Sequence, residues 1–361
     1  MAILASSTAS NIANQVNYQL MKGLLSAARK RLPFFNGTLP GTLQKNKSTA
    51  SVLWERIDNL APSTTAFTEP TGITAAFFGR STVLPTVSTA TAAMAKYGNA
   101  VLLSEEVELQ QMNVRSAALM DTLGANAGES LNLLMESIYS GLSHERFANG
   151  SVGGTTATTG VIANLSLTDI QWARNFLNRN SAMTFTADVY GSDRVGSSPI
   201  RNAYYGICHP DVEETIRGLS GFVSVEQYGG HTATIPYEIG TVGGVRFCST
   251  EVIPVATGAG TTSVTGNFRG ATVSSNDVYK TYIYGRECIG SVGLGNMHAT
   301  NSYEMYDPKT PPAVEVIVKP KGTIGTDLYN EMTSIAWKAW FAGSVLNQSW
   351  GVKIYSLAPD L

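Results

Sequence analysis

The stretch "AFTEPTGITAAFFGRSTVLPTVS", Ala66 to Ser88, carries two charges, Glu69 and Arg80, and a bare Phe77–Phe78 pair. Pro70, Gly72, Gly79 and Pro85 exclude a long helix, and the alternation is too loose for a core strand. So short a segment cannot bury enough of itself to fold alone. Its low charge and its aromatics do not suit a solvated linker either. Something outside the segment must cover it.

On either side the sequence reads as β-structure. Residues 50–58, "ASVLWERID", and 86–104, "TVSTATAAMAKYGNAVLLS", flank the stretch like two legs of a long hairpin. In the outgoing leg Val52, Trp54, Arg56 and Asp58 alternate with Leu53, Glu55 and Ile57, so neither face is expected to be cleanly buried. A two-stranded ribbon is marginal by itself and needs a partner surface.

Directly after it, from about Asn113 to Gly141, comes the clearest helix. Leu119, Leu123, Ala127, Leu131, Leu134 and Ile138 recur at spacings of three and four. It exceeds the usual globular length and reads as a structural spine, with Gly124 and Gly128 marking a place for close packing. Ahead of the hairpin, "NIANQVNYQLMKGLLSAARKRL" (11–32) has one apolar helical face and a basic end, and Pro33, Gly37, Pro40 and Gly41 then punctuate an extended connection. This N-terminal part is an arm, not a domain.

After the Gly/Thr-rich run "ANGSVGGTTATTGVIANLS" the pattern becomes mixed. "LTDIQWARNFLNRN" is a helix with Thr168 expected as N-cap and Asp169 in its first turn. "HPDVEETIRGL" is a short helix with Pro210 in its first turn. Short strands separated by glycine turns fill the rest to about residue 300, and β texture returns in "AVEVIVKP", "AWKAWFAGSVLN" and "WGVKIYSL".

Composition limits what such a chain does. Of 361 residues 43% are hydrophobic, enough for real cores. Lys and Arg number 25 against 27 Asp and Glu, so no basic excess grips nucleic acid through its phosphates. The low charged fraction, 14%, suits surfaces that lie against other protein. Cys208, Cys248 and Cys288 match no zinc spacing or disulfide framework and are expected as buried free thiols. The N-terminus lacks the pattern of a secretory signal and no window is apolar enough to span a membrane, so a soluble protein kept in a cytosol is expected.

Chemistry finds no foothold. His144, His209, His231 and His298 are scattered without ligand spacing. No phosphate loop, nucleophile elbow or zinc-protease motif occurs. Glu105, Glu106 and Glu108, like Glu213 and Glu214, read as charge patches at helix entries rather than acid/base pairs. Trp337, Trp340, Phe341 and Trp350 have only Lys338 and Lys353 near them, which favours core or interface packing over base stacking. We expect no catalytic, cofactor-binding or metal-binding residues.

The order of parts resembles the major capsid proteins of tailed bacteriophages, the HK97 fold, and within them the phage N4-type family. The resemblance is carried by "FTEP" (Phe67–Pro70), "KYGNAVLLSEEVEL" (Lys96–Leu109), "LGANAGESLNLLMESI" (Leu123–Ile138) and "HPDVEETIRGLSGFVSVEQYGG" (His209–Gly230). It continues in "YEIGTVGGVRFCSTEVIPV" (Tyr237–Val255), "VYKTYIYGRECIGSVGLG" (Val278–Gly295) and "AWKAWFAGSVLNQSWGVKIYSLA" (Ala336–Ala358).

This resemblance implies an α+β, HK97-like capsid fold. Its parts would be an N-terminal arm (1–49), an E-loop with flanking strands (50–103), a peripheral domain with the spine helix (104–164), an axial domain (165–303) and peripheral C-terminal strands (304–361). Phe67, Glu69, Phe77, Phe78 and Arg80 would be inter-subunit contacts of the E-loop, and Leu119, Leu123, Leu131, Leu134 and Ile138 the packing face of the spine. The implied function is structural. Hexamers and pentamers of the chain would close an icosahedral head around double-stranded DNA, touching it weakly and without sequence preference. A scaffolding protein, a portal and a cement protein are the implied partners, with no membrane, and the implied place is the virion, assembled in a bacterial cytoplasm. A separate scaffold and little proteolytic trimming are expected. Covalent chainmail in this fold uses an E-loop lysine, and residues 48–95 contain none. The rival readings are a cellular nanocompartment shell of the same fold and a Thr/Gly-rich extracellular β-module.

Overall fold

The computed structural model describes residues 33–35, 37–41, 51–57, 60, 64, 84–106, 116–148, 161, 163–185, 203–227, 237–260, 276–293, 314–319, 329 and 331–360. Helix α1, Ser116–Ser140, is the spine; its 25 residues span about 37 Å at 1.5 Å each. Its deepest line is Leu123, Ala127, Leu131, Met135 and Tyr139, spaced by four and all buried. Leu134 and Ile138 are half-buried beside that line and pack on the same core, and Leu119 is half-buried in the first turns.

The spine lies on a five-stranded sheet built around the long strand β13, Met332–Val345. Strand β4, Ala95–Ser104, runs antiparallel along one edge of it, from Met332↔Ser104 to Phe341↔Ala95. The other edge takes β12, Val314–Lys319, and then β11, Ile289–Gly293. Strand β1, Leu39–Pro40, adds parallel to β11. Alternation along β13 turns Ile335, Trp337, Ala339 and Phe341 inward to the spine core, while Trp340 stays partly exposed. Trp337 Nε1 donates to Asn126 Oδ1 of α1 at 3.1 Å.

A seven-stranded sheet carries the middle of the chain in the order β5 (Glu145–Phe147), β14 (Gly351–Ser356), β10 (Tyr279–Tyr284), β6 (Tyr204–Cys208), β9 (Val245–Ser249), β8 (Glu238–Val242) and β7 (Val223–Ser224). Strand β6 is buried throughout because both faces are covered: Tyr205 and Ile207 join the spine core, and Tyr204 and Cys208 join a second core. That second core is closed by α2, Leu167–Arg179, through Ile170, Ala173 and Leu177, and by α3, Pro210–Arg217, through Val212 and Ile216. The β8–β9 turn is Gly243–Gly244 with φ of 60° and 84°, a two-residue hairpin that only glycine makes cheaply. Strand β14 pairs with β10 inside this sheet.

The N-cap of α2 is Ser166, not Thr168. Leu167 already lies in the helix and packs on the core. Asp169 then falls at the third helical position, where it and Ser166 close a capping box. Its amide donates to Ser166 Oγ at 3.3 Å, and the Ser166 amide donates to Asp169 Oδ2 at 3.3 Å. The expected β leg 86–104 also divides. Val87–Ala93 forms β3 and pairs with β2, Ser51–Ile57, whereas β4 leaves for the spine sheet; Met94, between them, packs against the buried base of the ribbon.

Polar groups concentrate where the spine ends on the seven-stranded sheet. Glu136 is buried and accepts from the Tyr282 hydroxyl at 2.5 Å, with Lys280 Nζ at 3.4 Å. Lys353 Nζ donates to the Ser140 carbonyl at 2.8 Å and pairs with Glu145 at 2.7 Å, placing a cation at the negative end of the helix.

Candidate functional site

The ribbon β2–β3 leaves the body as a seven-rung antiparallel pair, Ser51↔Ala93 to Ile57↔Val87. Its two faces differ, contrary to the expectation that neither would be cleanly buried. Val52 and Ala92 are buried with Val292 and Ala342, and Trp54 packs beside them. The indole lies so close to Gly41 and Gly290 that a Cβ there would stand 2.6 and 2.8 Å from it. Two glycines therefore make the seat on which the ribbon is mounted. The opposite face has no such cover among the described residues: Leu53 is 52% exposed, Ile57 67% and Val87 51%, with Leu60 and Leu84 also exposed. Ile57 and Val87 are direct cross-strand partners and form one exposed apolar pair, while Leu53, on the same face, is paired with Thr91 and separated from them by the Glu55–Thr89 rung.

The segment Pro33–Phe35 is held against the spine. Phe34, in a single 3₁₀ turn Pro33–Phe35, is buried against the spine. Its amide donates to Asn132 Oδ1 at 3.2 Å and its carbonyl accepts from the Tyr139 hydroxyl at 3.1 Å. Its ring meets those of Tyr139 and Tyr282 at 5.1 and 5.8 Å. The sequence is expected to give only an extended connection here; the signal for a buried anchor is the aromatic pair Phe34–Phe35 directly after the basic run Arg29–Arg31.

The other candidate residues are placed as follows. Phe67, Glu69, Phe77, Phe78 and Arg80 lie outside the described residues, as do His231, His298 and Glu108. The three cysteines are free and buried, and burial raises their thiols, Cys248 to about 12. His209 is the N-cap of α3, its Nδ1 accepting the Asp211 amide at 3.2 Å. His144 packs on Phe176, ring centroids 4.6 Å apart. Glu213 pairs with Arg217 one turn on at 2.6 Å. Trp350 Nε1 donates to the Asn180 carbonyl at 3.0 Å. Among the described residues no group of three His, Cys, Asp or Glu side chains could hold a metal ion, and no helix is long and apolar enough to cross a membrane. What the structure brings together is a mounted ribbon with Leu53, Ile57 and Val87 turned outward.

No family model matches the sequence, and no curated protein matches it. The fold, however, matches solved structures along nearly the whole chain. The capsid of Ralstonia phage GP4 superposes with a TM-score of 0.60 at 12% identity, covering 91% of this chain and 92% of that one. The capsid of Cyanophage P-SCSP1u gives 0.53 at 11% identity, covering 91% and 89%. The head structure of Helicobacter pylori bacteriophage KHP40 gives 0.51 at 10% identity, covering 91% of each chain. The chain has a phage capsid fold of the HK97-like kind.

Proposed function

We propose that this chain is the major capsid protein of a tailed bacteriophage, self-assembling into the icosahedral head that encloses double-stranded DNA. The observation that carries the reading is the mounted ribbon, with Leu53, Ile57 and Val87 exposed on one face of a capsid fold. An isolated subunit gains nothing by holding such a face in water; a subunit that lies against copies of itself buries it. Each contact is modest, and multivalent closure multiplies the contacts into a stable shell.

In this reading residues 50–103 are the E-loop and its strands, laid over a neighbouring subunit through Phe67, Phe77 and Phe78. The arm, 1–49, extends under another. The spine with the segments 104–164 and 304–361 forms the peripheral domain, and 165–303 the axial domain around five- and six-fold centres. The chain catalyses nothing. It works with a scaffolding protein, a portal and a cement protein, assembles in a bacterial cytoplasm and ends in the virion. Within capsid proteins the quoted stretches favour the N4-type family. A net charge of −2 fits an inner wall that holds DNA loosely enough to release it.

Electron microscopy with light scattering, on the chain co-expressed with a scaffold, tests this. Uniform icosahedral shells are expected. Monomers alone, with scaffold present, would overturn the reading.

A further inference from the structure

The spine covers one face of the five-stranded sheet. On the other face the base of the ribbon covers only the β11 end, where Val52 and Ala92 meet Val292 and Ala342. Further along, from Trp340 to Met332, that face is open among the described residues: Trp340 is 37% exposed, Met332 41% and Leu102 61%. Three lysines stand on it. Side chains alternate between the faces of a strand, and the register sets Lys96 opposite Trp340, Lys338 opposite Gly98 and Lys319 opposite Ser334.

An acidic counterpart stands at one end of the same sheet. Glu105 and Glu106 follow β4, Glu331 precedes β13, and the Glu105 amide donates to the Glu331 carbonyl at 2.9 Å. The three glutamates are half-buried or exposed and form one knuckle in which like charges repel. A cation set against the knuckle relieves that repulsion. Strand geometry keeps the lysines of the same copy from doing so: at roughly 3.4 Å per residue, the rungs of Lys338 and Lys96 lie about 24 and 30 Å along β13 from Glu331.

We propose that this face is a contact between copies of the chain, the Glu105–Glu106–Glu331 knuckle of one copy seating on the Lys319, Lys338 and Lys96 face of another. The proposal rests on the shell reading above and adds a second contact, separate from the hairpin and the arm. Charge and apolar surface together select the occupant. Nucleic acid would match the lysines but leave Leu102, Met332 and Trp340 in water. A second copy brings carboxylates and the protein surface around them, which pairs the lysines and covers the apolar side chains. The contact adjoins the ribbon, whose base holds the rest of this face, so both fall along one boundary.

Wild-type shells assembled from a mixture of ¹⁴N- and ¹⁵N-labelled copies, then treated with a carbodiimide, test this without altering the chain. The reagent joins a carboxylate to an amine with loss of water and leaves no spacer, so only groups in ion-pair contact are linked. We expect peptides holding Glu105, Glu106 or Glu331 joined to peptides holding Lys319, Lys338 or Lys96, with one label from each copy. Independently, reversing the knuckle (Glu105→Lys, Glu106→Lys and Glu331→Lys) or the face (Lys96→Glu, Lys319→Glu and Lys338→Glu) should each lower shell yield at least about ten-fold, with the subunit's unfolding midpoint unchanged. Both sets in one chain should restore the yield to within about three-fold. An absence of these links between copies, normal yield from either reversal, or a combined variant no better than the separate ones would overturn the proposal and leave the shell reading standing. Wild-type chains that never form shells beside a scaffold would instead defeat that reading.

Discussion

The Tyr139 hydroxyl donates to the Phe34 carbonyl across 3.1 Å, two turns along the spine from Asn132, which accepts the Phe34 amide. A spacing of seven residues puts both side chains on one helix face. They satisfy both backbone groups of a residue with no sheet ladder of its own. Asn132 also reaches Thr250 Oγ1 at 3.5 Å, so the clamp joins arm, spine and the end of β9.

Removing either partner strands a buried polar group, which costs about 1–3 kcal/mol. Tyr139→Phe and Asn132→Ala should each lower the unfolding free energy of the unassembled subunit, measured by urea titration, by that amount. Together they should fall short of the sum, since both serve the same residue. Full additivity would show that Phe34 is not held as one unit.

The cap of α2 yields a sharper contrast. Ser166→Ala breaks the capping box and should cost about 0.5–2 kcal/mol, while Thr168→Ala, one residue inside the helix, should stay within about 0.5 kcal/mol. Thermal unfolding of the two variants side by side checks this.

That contrast shows where the sequence was readable. The three- and four-residue spacing from Leu119 to Leu131 along α1 and the glycine turn between β8 and β9 are local patterns, and local patterns survive in a linear string; beyond Leu131 the buried line runs through Met135 and Tyr139 rather than Leu134 and Ile138. The cap is Ser166 rather than the expected Thr168 because periodicity fixes a helix's face more firmly than its first residue. Other features are long-range. Strand β13 draws its partners from segments beginning at Ala95, Ile289 and Val314, and no spacing announces that. Phe34 and the Gly41–Trp54–Gly290 seat are single-residue fits, invisible until the elements meet. The hairpin tip lies outside the described residues, so its contacts rest on the sequence.

Burial raises the thiols of Cys208, Cys248 and Cys288, with Cys248 pushed up to about 12. An unfolded thiol titrates near 8.5, so above that pH the native state holds more protons than the unfolded one and stability falls. The stabilising difference is fully present below about pH 8 and is lost as pH rises toward 12. The slope should reach about 1.4 kcal/mol per pH unit for each thiol. Tyr282, raised by burial and by Glu136, adds to the loss only above about pH 10. Denaturation at intervals from pH 7 to 10 should therefore be flat and then decline, and replacing all three cysteines by alanine should flatten the decline between pH 8.5 and 10.

Residues 48–95 contain no lysine, and Lys47 and Lys96 only bracket the hairpin. An isopeptide bond through the loop would need a lysine amine there, so shells of the proposed kind should run as single chains on denaturing gels. A covalent ladder would overturn the expectation.

The ribbon's outer face separates folding from assembly. Leu53 and Ile57 are largely exposed in the subunit, and a lysine stem still covers what each side chain covers, so Leu53→Lys with Ile57→Lys should change the unfolding free energy by less than about 0.5 kcal/mol. In a shell the same positions would carry two cations into an apolar contact, where an unpaired charge is costly. Sedimentation should then show folded subunits and no shells. Leu131→Ala is the opposite control: buried in the spine core, it should cost about 2–5 kcal/mol. Where that variant stays folded it should still assemble, because its surface is unchanged. If the double lysine variant forms shells at normal yield, the outer face of the ribbon takes no part in closing them, and the contact between subunits must lie elsewhere.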